Sequence, residues 1–173
     1  MGNIDIRRAT EADAQVLSDL SSITFNYFRN MHNNKDKDVD LYISTHFSKE
    51  KQFQELINKQ KIIFIAYSDD KAVGYAMLTK GTTEQCLLHA NSIELQRLYV
   101  LQSFHRQGIA SQLMHTCLNE CNEYDSIWLG VWEHNTTAIR FYETFKFKNV
   151  GTHIFQFGSD PQIDLIYELV LNK

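Results

Sequence analysis

Apolar and polar positions change their spacing several times along this chain, and each change marks an element. Ile4 and Ile6 alternate with Asp5 and Arg7, which predicts a short strand. Thr10-Glu11-Ala12-Asp13 then reads as a capping box, in which the Thr10 side chain accepts from a first-turn amide and Asp13 reaches back. Val16, Leu20, Ile23 and Tyr27 recur at helical spacing, with Leu17 and Phe28 widening the apolar stripe. Residues 33–38 are polar and read as a loop. Residues 41–47 and 49–60 follow as helices, the second capped by Ser48.

The period then shortens. Residues 62–67 form an apolar, β-branched run, Asp69-Asp70 is a turn signal, and 72–78 is the return strand. Residues 81–91 read as a loop or a frayed hairpin, and 93–100 as the next strand, with Leu95 and Arg97 on the face opposite Glu94, Gln96 and Leu98. In the helix expected at 109–121, Ile109, Leu113, Cys117 and Cys121 form one ridge. A strand at 127–132, a helix at 135–145, and strands at 147–155 and 163–171 complete the order. A strand–helix–strand run from 93 to 132 demands a crossover, while hairpins on both flanks bring antiparallel pairs. The chain is therefore expected to be one α/β (α+β) domain spanning residues 1–173, a central mixed β-sheet with helices on both faces.

Composition narrows the partners. The 173 residues suit a single domain; 43% are hydrophobic and 22% charged, so a packed core is expected rather than disorder. A formal charge of -4 argues against non-specific nucleic-acid binding and suits a cationic small partner better than an anionic one. Three cysteines are too few for a disulfide scaffold, no CxxC or HExxH spacing occurs, and Cys117 and Cys121 read as small core residues, with a metal or redox pair as the competing reading. No apolar run reaches the ~18 residues of a membrane span, and the start lacks the pattern of a signal peptide, so a reduced cytoplasmic protein is expected.

Two segments carry candidate chemistry. At 98–111 a strand ends, a short loop follows, and a helix opens at Gly108-Ile109-Ala110. A helix start offers unpaired N–H groups and a positive dipole end, and Gly108 and Ala110 let a phosphate approach, with Arg106 able to add a charged contact. Gly108 serving only a tight turn is the competing reading. It is neither a Walker A loop nor a dinucleotide fingerprint. At 132–143, Asn135 reads as a helix cap, and Tyr142 lies two turns further on nearly the same face, either as a core aromatic or as a group addressing a ligand. Phe141 and Phe145 read as core.

Together these segments resemble the GNAT superfamily of N-acetyltransferases, over the whole order of elements from Ile4 to Leu171. His105-Arg106-Gln107-Gly108-Ile109-Ala110 is similar to the family's coenzyme A signature, and Asn135, Ala138, Phe141, Tyr142 and Glu143, with Phe147 beyond, to its second. Val73-Gly74-Tyr75 looks like its third strand. Segments 127–135, 151–155 and 164–166 are similar to bacterial spermine/spermidine acetyltransferases. His105 departs from the usual Gln or Arg, and Lys146 stands where the family often has Gly; a left-handed residue is expected there.

The resemblance implies acetyl-coenzyme A as co-substrate, with no metal, in a cleft where strands 93–100 and 127–132 splay apart beside Gly130. It implies that backbone groups of Leu98, Tyr99 and Val100 hold the pantetheine arm. Amides of Arg106, Gln107, Gly108, Ile109, Ala110 and Ser111 would hold the pyrophosphate, with Asn135 and Tyr142 also on the cofactor. It implies direct attack by a neutral amine, with the Val100 N–H toward the oxyanion and Tyr142 protonating the thiolate. For the base, Glu94 is expected, acting through water; an exposed strand residue or an ion pair with Arg97 is the competing reading. The expected acceptor is a small polyamine such as spermidine or spermine. A protein N-terminus, a lysine or an aminoglycoside-like amine are alternatives, as is a non-catalytic acyl-coenzyme A-binding regulator. A homodimer is possible among such relatives; nucleic acid and membrane are not expected partners.

Overall fold

The computed structural model describes residues 3–31 and 34–171. Strand β1 is Ile4–Arg8 and helix α1 Ala14–Phe25, followed by α2 Asp36–His46 and α3 Lys49–Ile57. Strands β2 (Lys61–Ser68), β3 (Lys71–Lys80) and β4 (Ser92–Val100) come next. Helix α4 (Ile109–Asn119), β5 (Ser126–Trp132), α5 (Thr136–Thr144), β6 (Lys148–Phe157) and β7 (Asp160–Val170) complete the chain. Seven strands form one mixed sheet in the order β1-β2-β3-β4-β5-β7-β6. The only parallel pair among the described residues is β4 with β5, the two ends of the expected crossover. Among them, no helix is long and apolar enough to cross a membrane.

Local chemistry explains most boundaries. Asp69 and Asp70 both have positive φ (47° and 63°), the geometry of a two-residue hairpin turn whose twist matches the flanking strands. Ser48 caps α3 by accepting from the Lys51 N–H at 3.2 Å. Asp13 accepts from the Thr10 N–H at 2.8 Å, as the capping reading required, although the turn that follows is a short 3-10 helix. Gly74 faces Leu113 of α4, and a Cβ there would lie 2.9 Å from the Tyr99 carbonyl oxygen; the missing side chain lets α4 lie close on β3. Its neighbour Tyr75 points to the other face, toward Ser21 of α1. Helices thus cover both faces, α1–α3 on one and α4 on the other, with α5 beside α4 through the Phe145–His115 ring contact.

Several expectations are corrected. The stripe of Val16, Ile23 and Tyr27 is exposed; α1 instead buries Leu17, Ser18, Leu20, Ser21, Thr24 and Phe25. Two of the small polar residues are tolerated inside because their hydroxyls are bonded: Ser18 donates to the Phe47 carbonyl at 2.6 Å and Thr24 to that of Leu20 at 2.8 Å. Helix α2 begins at Asp36, inside the stretch expected to be loop, because Asp36 and Asp38 favour the positive end of the helix and Arg29 pairs with Asp36 at 3.1 Å. Residue 33 of that stretch lies outside the described residues. Helix α3 ends at Ile57 rather than 60, and α4 at Asn119 rather than 121. The ridge Ile109, Leu113, Cys117 and Cys121 is buried as expected, at 1% exposure or less. Phe141 and Phe145 are only partly buried against the core.

Candidate active site

Strands β4 and β5 begin side by side and then separate. Their pairing runs from Ser92–Ser126 to Glu94–Trp128 and stops, although β4 continues to Val100 and β5 to Trp132. The cause is in β4: Met77 pairs with Arg97 and Leu78 with Leu95, so Gln96 is an extra residue, a bulge. Gln96 is pinned there by Lys61 Nζ at 2.6 Å and Thr79 Oγ1 at 2.9 Å, both donating to its side-chain oxygen. Beneath the bulge Arg97, 8% exposed, forms two bonds to Glu55 of α3, at 2.7 and 3.1 Å. The extra residue corrects the expected alternation, since Arg97, paired with Met77, shares the face of Glu94, paired with Thr79; Arg97 nevertheless bonds Glu55, and Glu94 lines the gap.

The gap opens into a cleft of about 1410 Å³. Leu98, Tyr99, Val100, Arg106, Gly108, Ile109, Ala110, Ser111, Asn135 and Tyr142 all line it, as does Glu94. Gln107 alone of the expected set stands off the wall, its amide donating to the Ser103 carbonyl at 3.2 Å. Arg106 and Gly108 have φ of 60° and 78°, so the loop turns sharply before α4. No side chain caps α4, and the first bond at its mouth runs from the Gln112 N–H to the Gly108 carbonyl, which leaves the earlier amides for a ligand. A Cβ on Gly108 would meet nothing within 4 Å, so the space before these amides is open and fits a phosphate. His105 points elsewhere: its Nε2 bonds the Val100 carbonyl at 2.8 Å and ties the loop back to β4.

On α5, Asn135 accepts from the Ala138 N–H at 3.2 Å, the capping role expected of it. Tyr142, 9% exposed, packs on Phe147. Burial, with Cys117 nearby, pushes its hydroxyl well above the ordinary phenol range, so it carries its proton at neutral pH.

The opposite wall follows from the strand register. Glu94 lies beside Trp128; along β5 the same face carries Gly130 and Trp132; Trp132 pairs with Asp164 of β7, and Asp164 with His153 of β6. Gly130 forms a bare floor, with Asp164 Oδ2 3.4 Å from where a Cβ would stand. His153 Nδ1 bonds Glu84 Oε1 at 2.8 Å, and its Nε2 lies 3.7 Å from Asp164 Oδ2. Burial raises the carboxyl of Glu94, opposed by Thr82 and Lys61, and that of Asp164, opposed by His153. Phe28, Tyr42, Trp132 and Phe155 supply aromatic surface on this side. The sequence reading missed Arg97–Glu55 and the His153 group; only the alternation His153-x-Phe155 hinted that this strand presents a functional face.

Comparison with known proteins agrees with this geometry. The profile of the acetyltransferase (GNAT) family matches residues 21–147. An uncharacterised N-acetyltransferase of Mycobacterium bovis is 32% identical over 133 residues, 75% of this chain and 81% of its own. Another, encoded in the pepI 3' region of Lactobacillus delbrueckii subsp. lactis, is 26% identical over 140 residues, covering 80% and 81%. Among solved structures, the PaiA N-acetyltransferase of Thermoplasma acidophilum, in complex with coenzyme A, is similar with a TM-score of 0.75 at 20% identity, covering 98% of this chain and 99% of that one.

Proposed function

The chain belongs to the acetyltransferase (GNAT) family, and from that premise we propose that it moves the acetyl group of acetyl-coenzyme A to a primary amine of a small polyamine such as spermidine or spermine. The observation that carries this reading is the splay of β4 from β5. It opens a cleft with uncapped helix-start amides on one side and the carboxylates of Glu94 and Asp164 with aromatic walls on the other. A cationic amine is drawn to Glu94 and Asp164 by charge and to Phe28, Tyr42, Trp132 and Phe155 by their ring faces.

Each chemical need has a residue. An alkylamine is protonated at pH 7 and must lose a proton before it attacks. Glu94 takes that proton through water; a carboxyl raised by burial is a better base near neutrality than an ordinary one. The backbone of Leu98, Tyr99 and Val100, where β4 no longer pairs with β5, would hold the pantetheine arm. The Val100 N–H faces the developing oxyanion. Amides of Arg106, Gly108, Ile109, Ala110 and Ser111 would receive the pyrophosphate, and Asn135 shapes the entrance to α5. Tyr142 gives the departing sulfur its proton.

The test is thiol release from acetyl-coenzyme A with spermidine, spermine and a peptide side by side. Turnover of the polyamines above the peptide is expected. Preference for the peptide would move the acceptor to a protein amine, and cofactor binding without turnover of any amine would make the protein a regulator.

A further inference from the structure

Acetyl transfer to an amine leaves one proton over. The ammonium R–NH3+ becomes an amide with a single N–H, so the nitrogen loses two protons, whereas the sulfur takes up only one. The first proton leaves before attack, and the nitrogen lone pair then forms the N–C bond. The C–S bond breaks with its electrons going to sulfur, which is protonated by Tyr142. The second nitrogen proton replaces the one that Tyr142 gave. The first must leave the cleft once per turnover.

We propose that His153 is the outlet for that proton, receiving it across the Gly130 floor from Glu94 and handing it to solvent. This rests on the acetyl transfer proposed above. A carboxylate oxygen accepts, so the 2.8 Å bond to Glu84 places a His153 proton on Nδ1 and turns Nε2 the other way. Nε2 is the atom turned toward Asp164 Oδ2, at 3.7 Å; that oxygen lies over the bare Gly130, 3.4 Å from where a Cβ would stand, and His153 is near enough to Glu94 to lower its carboxyl. Exposure rises along the path: the Asp164 side chain is 17% exposed and that of His153 32%. The titratable groups facing this path come from five elements: Glu94 on β4, Lys61 on β2, Asp164 on β7, Glu84 on the β3–β4 loop and Tyr42 on α2. Beside them the imidazole has two ring nitrogens, so it can take a proton on one while the other stays bonded to Glu84.

The decisive variant is His153→Gln, whose amide can still bond Glu84 but cannot carry a proton. At saturating polyamine in dilute, bulky buffer, kcat is expected to fall about tenfold, less than for a directly acting acid or base. Added imidazole should restore it, while the wild type responds to neither buffer. Glu84→Gln, which loosens the tautomer without touching the ring, should give a smaller fall, also restored by imidazole, and covers the case in which His153→Gln folds poorly. An unchanged kcat, or a fall that imidazole leaves in place, overturns the outlet while the acetyl transfer stands. Failure of the wild type to turn over any amine overturns the transfer itself.

Discussion

Arg97 and Glu55 lie 42 positions apart and meet through two hydrogen bonds, 2.7 and 3.1 Å long, with both residues less than a tenth exposed. The pair fastens α3 to β4 next to the bulge at Gln96, and Lys61 adds a weaker contact to the same carboxylate at 3.8 Å. The Arg97 guanidinium also lies over the Phe47 ring, 5.0 Å from its centre. The splay that makes the cleft is held from below by this buried charge pair.

Breaking the pair on one side should therefore be costly. Glu55→Gln leaves Arg97 buried without its counter-charge and should lower stability by about 3–5 kcal/mol in urea unfolding. The double change Glu55→Met with Arg97→Met removes both charges and should recover much of that loss. A double variant no better than the single one would show that the pair's value is not electrostatic.

Gly108 sits at φ 78° before the open space at the head of α4. Gly108→Val is expected to cost about 1–2 kcal/mol of backbone strain. It should also remove most of the stabilisation by acetyl-coenzyme A, which for a native-state ligand at 100 times its Kd is about 2.7 kcal/mol. Melting curves with and without acetyl-coenzyme A separate the two effects. A variant that melts lower but keeps the full ligand shift would place the pyrophosphate elsewhere.

Tyr142→Phe keeps the ring packed on Phe147 and deletes only the hydroxyl. If that hydroxyl protonates the sulfur, kcat should fall by ~10²–10⁴ with cofactor affinity nearly intact. A rise in KM for acetyl-coenzyme A at constant kcat would reduce the hydroxyl to a ground-state contact. Steady-state rates at saturating amine distinguish the two.

Asp13 predicts part of the acid limb of stability. Burial alone would raise its carboxyl, but the bonds from the Thr10 N–H at 2.8 Å and Arg7 at 2.9 Å outweigh this and hold it below its ordinary range. A carboxyl lowered in the folded state contributes stability that is complete above its unfolded pKa and is lost as pH falls through the folded one. Asp13→Asn should therefore lower stability near neutrality and flatten its decline on acidification. A parallel decline in variant and wild type, followed by thermal unfolding across pH, would remove Asp13 from that limb.

Much of this protein is written locally. The order of strands and helices follows from changes of apolar period, the Ser48 and Asn135 caps bond as their positions suggest, and Lys146 adopts the left-handed φ of 70° expected after α5. Such features depend on neighbours within a turn or two, which adjacent residues record. The face of α1 was misread because Ser18, Ser21 and Thr24 look polar in a list yet are buried in the fold, Ser18 and Thr24 with their hydroxyls bonded to backbone carbonyls. The acceptor side was hidden for a different reason. His153 meets Glu84 across 69 positions and Glu55 meets Arg97 across 42, and both meetings depend on how strands are registered. One extra residue at Gln96 shifts that register, carries Arg97 to Glu55, and lies just beyond Glu94, where β4 and β5 stop pairing. Residue spacing along one strand cannot record a mismatch between two strands, so the cleft and the side chains facing it exist only once the sheet has formed.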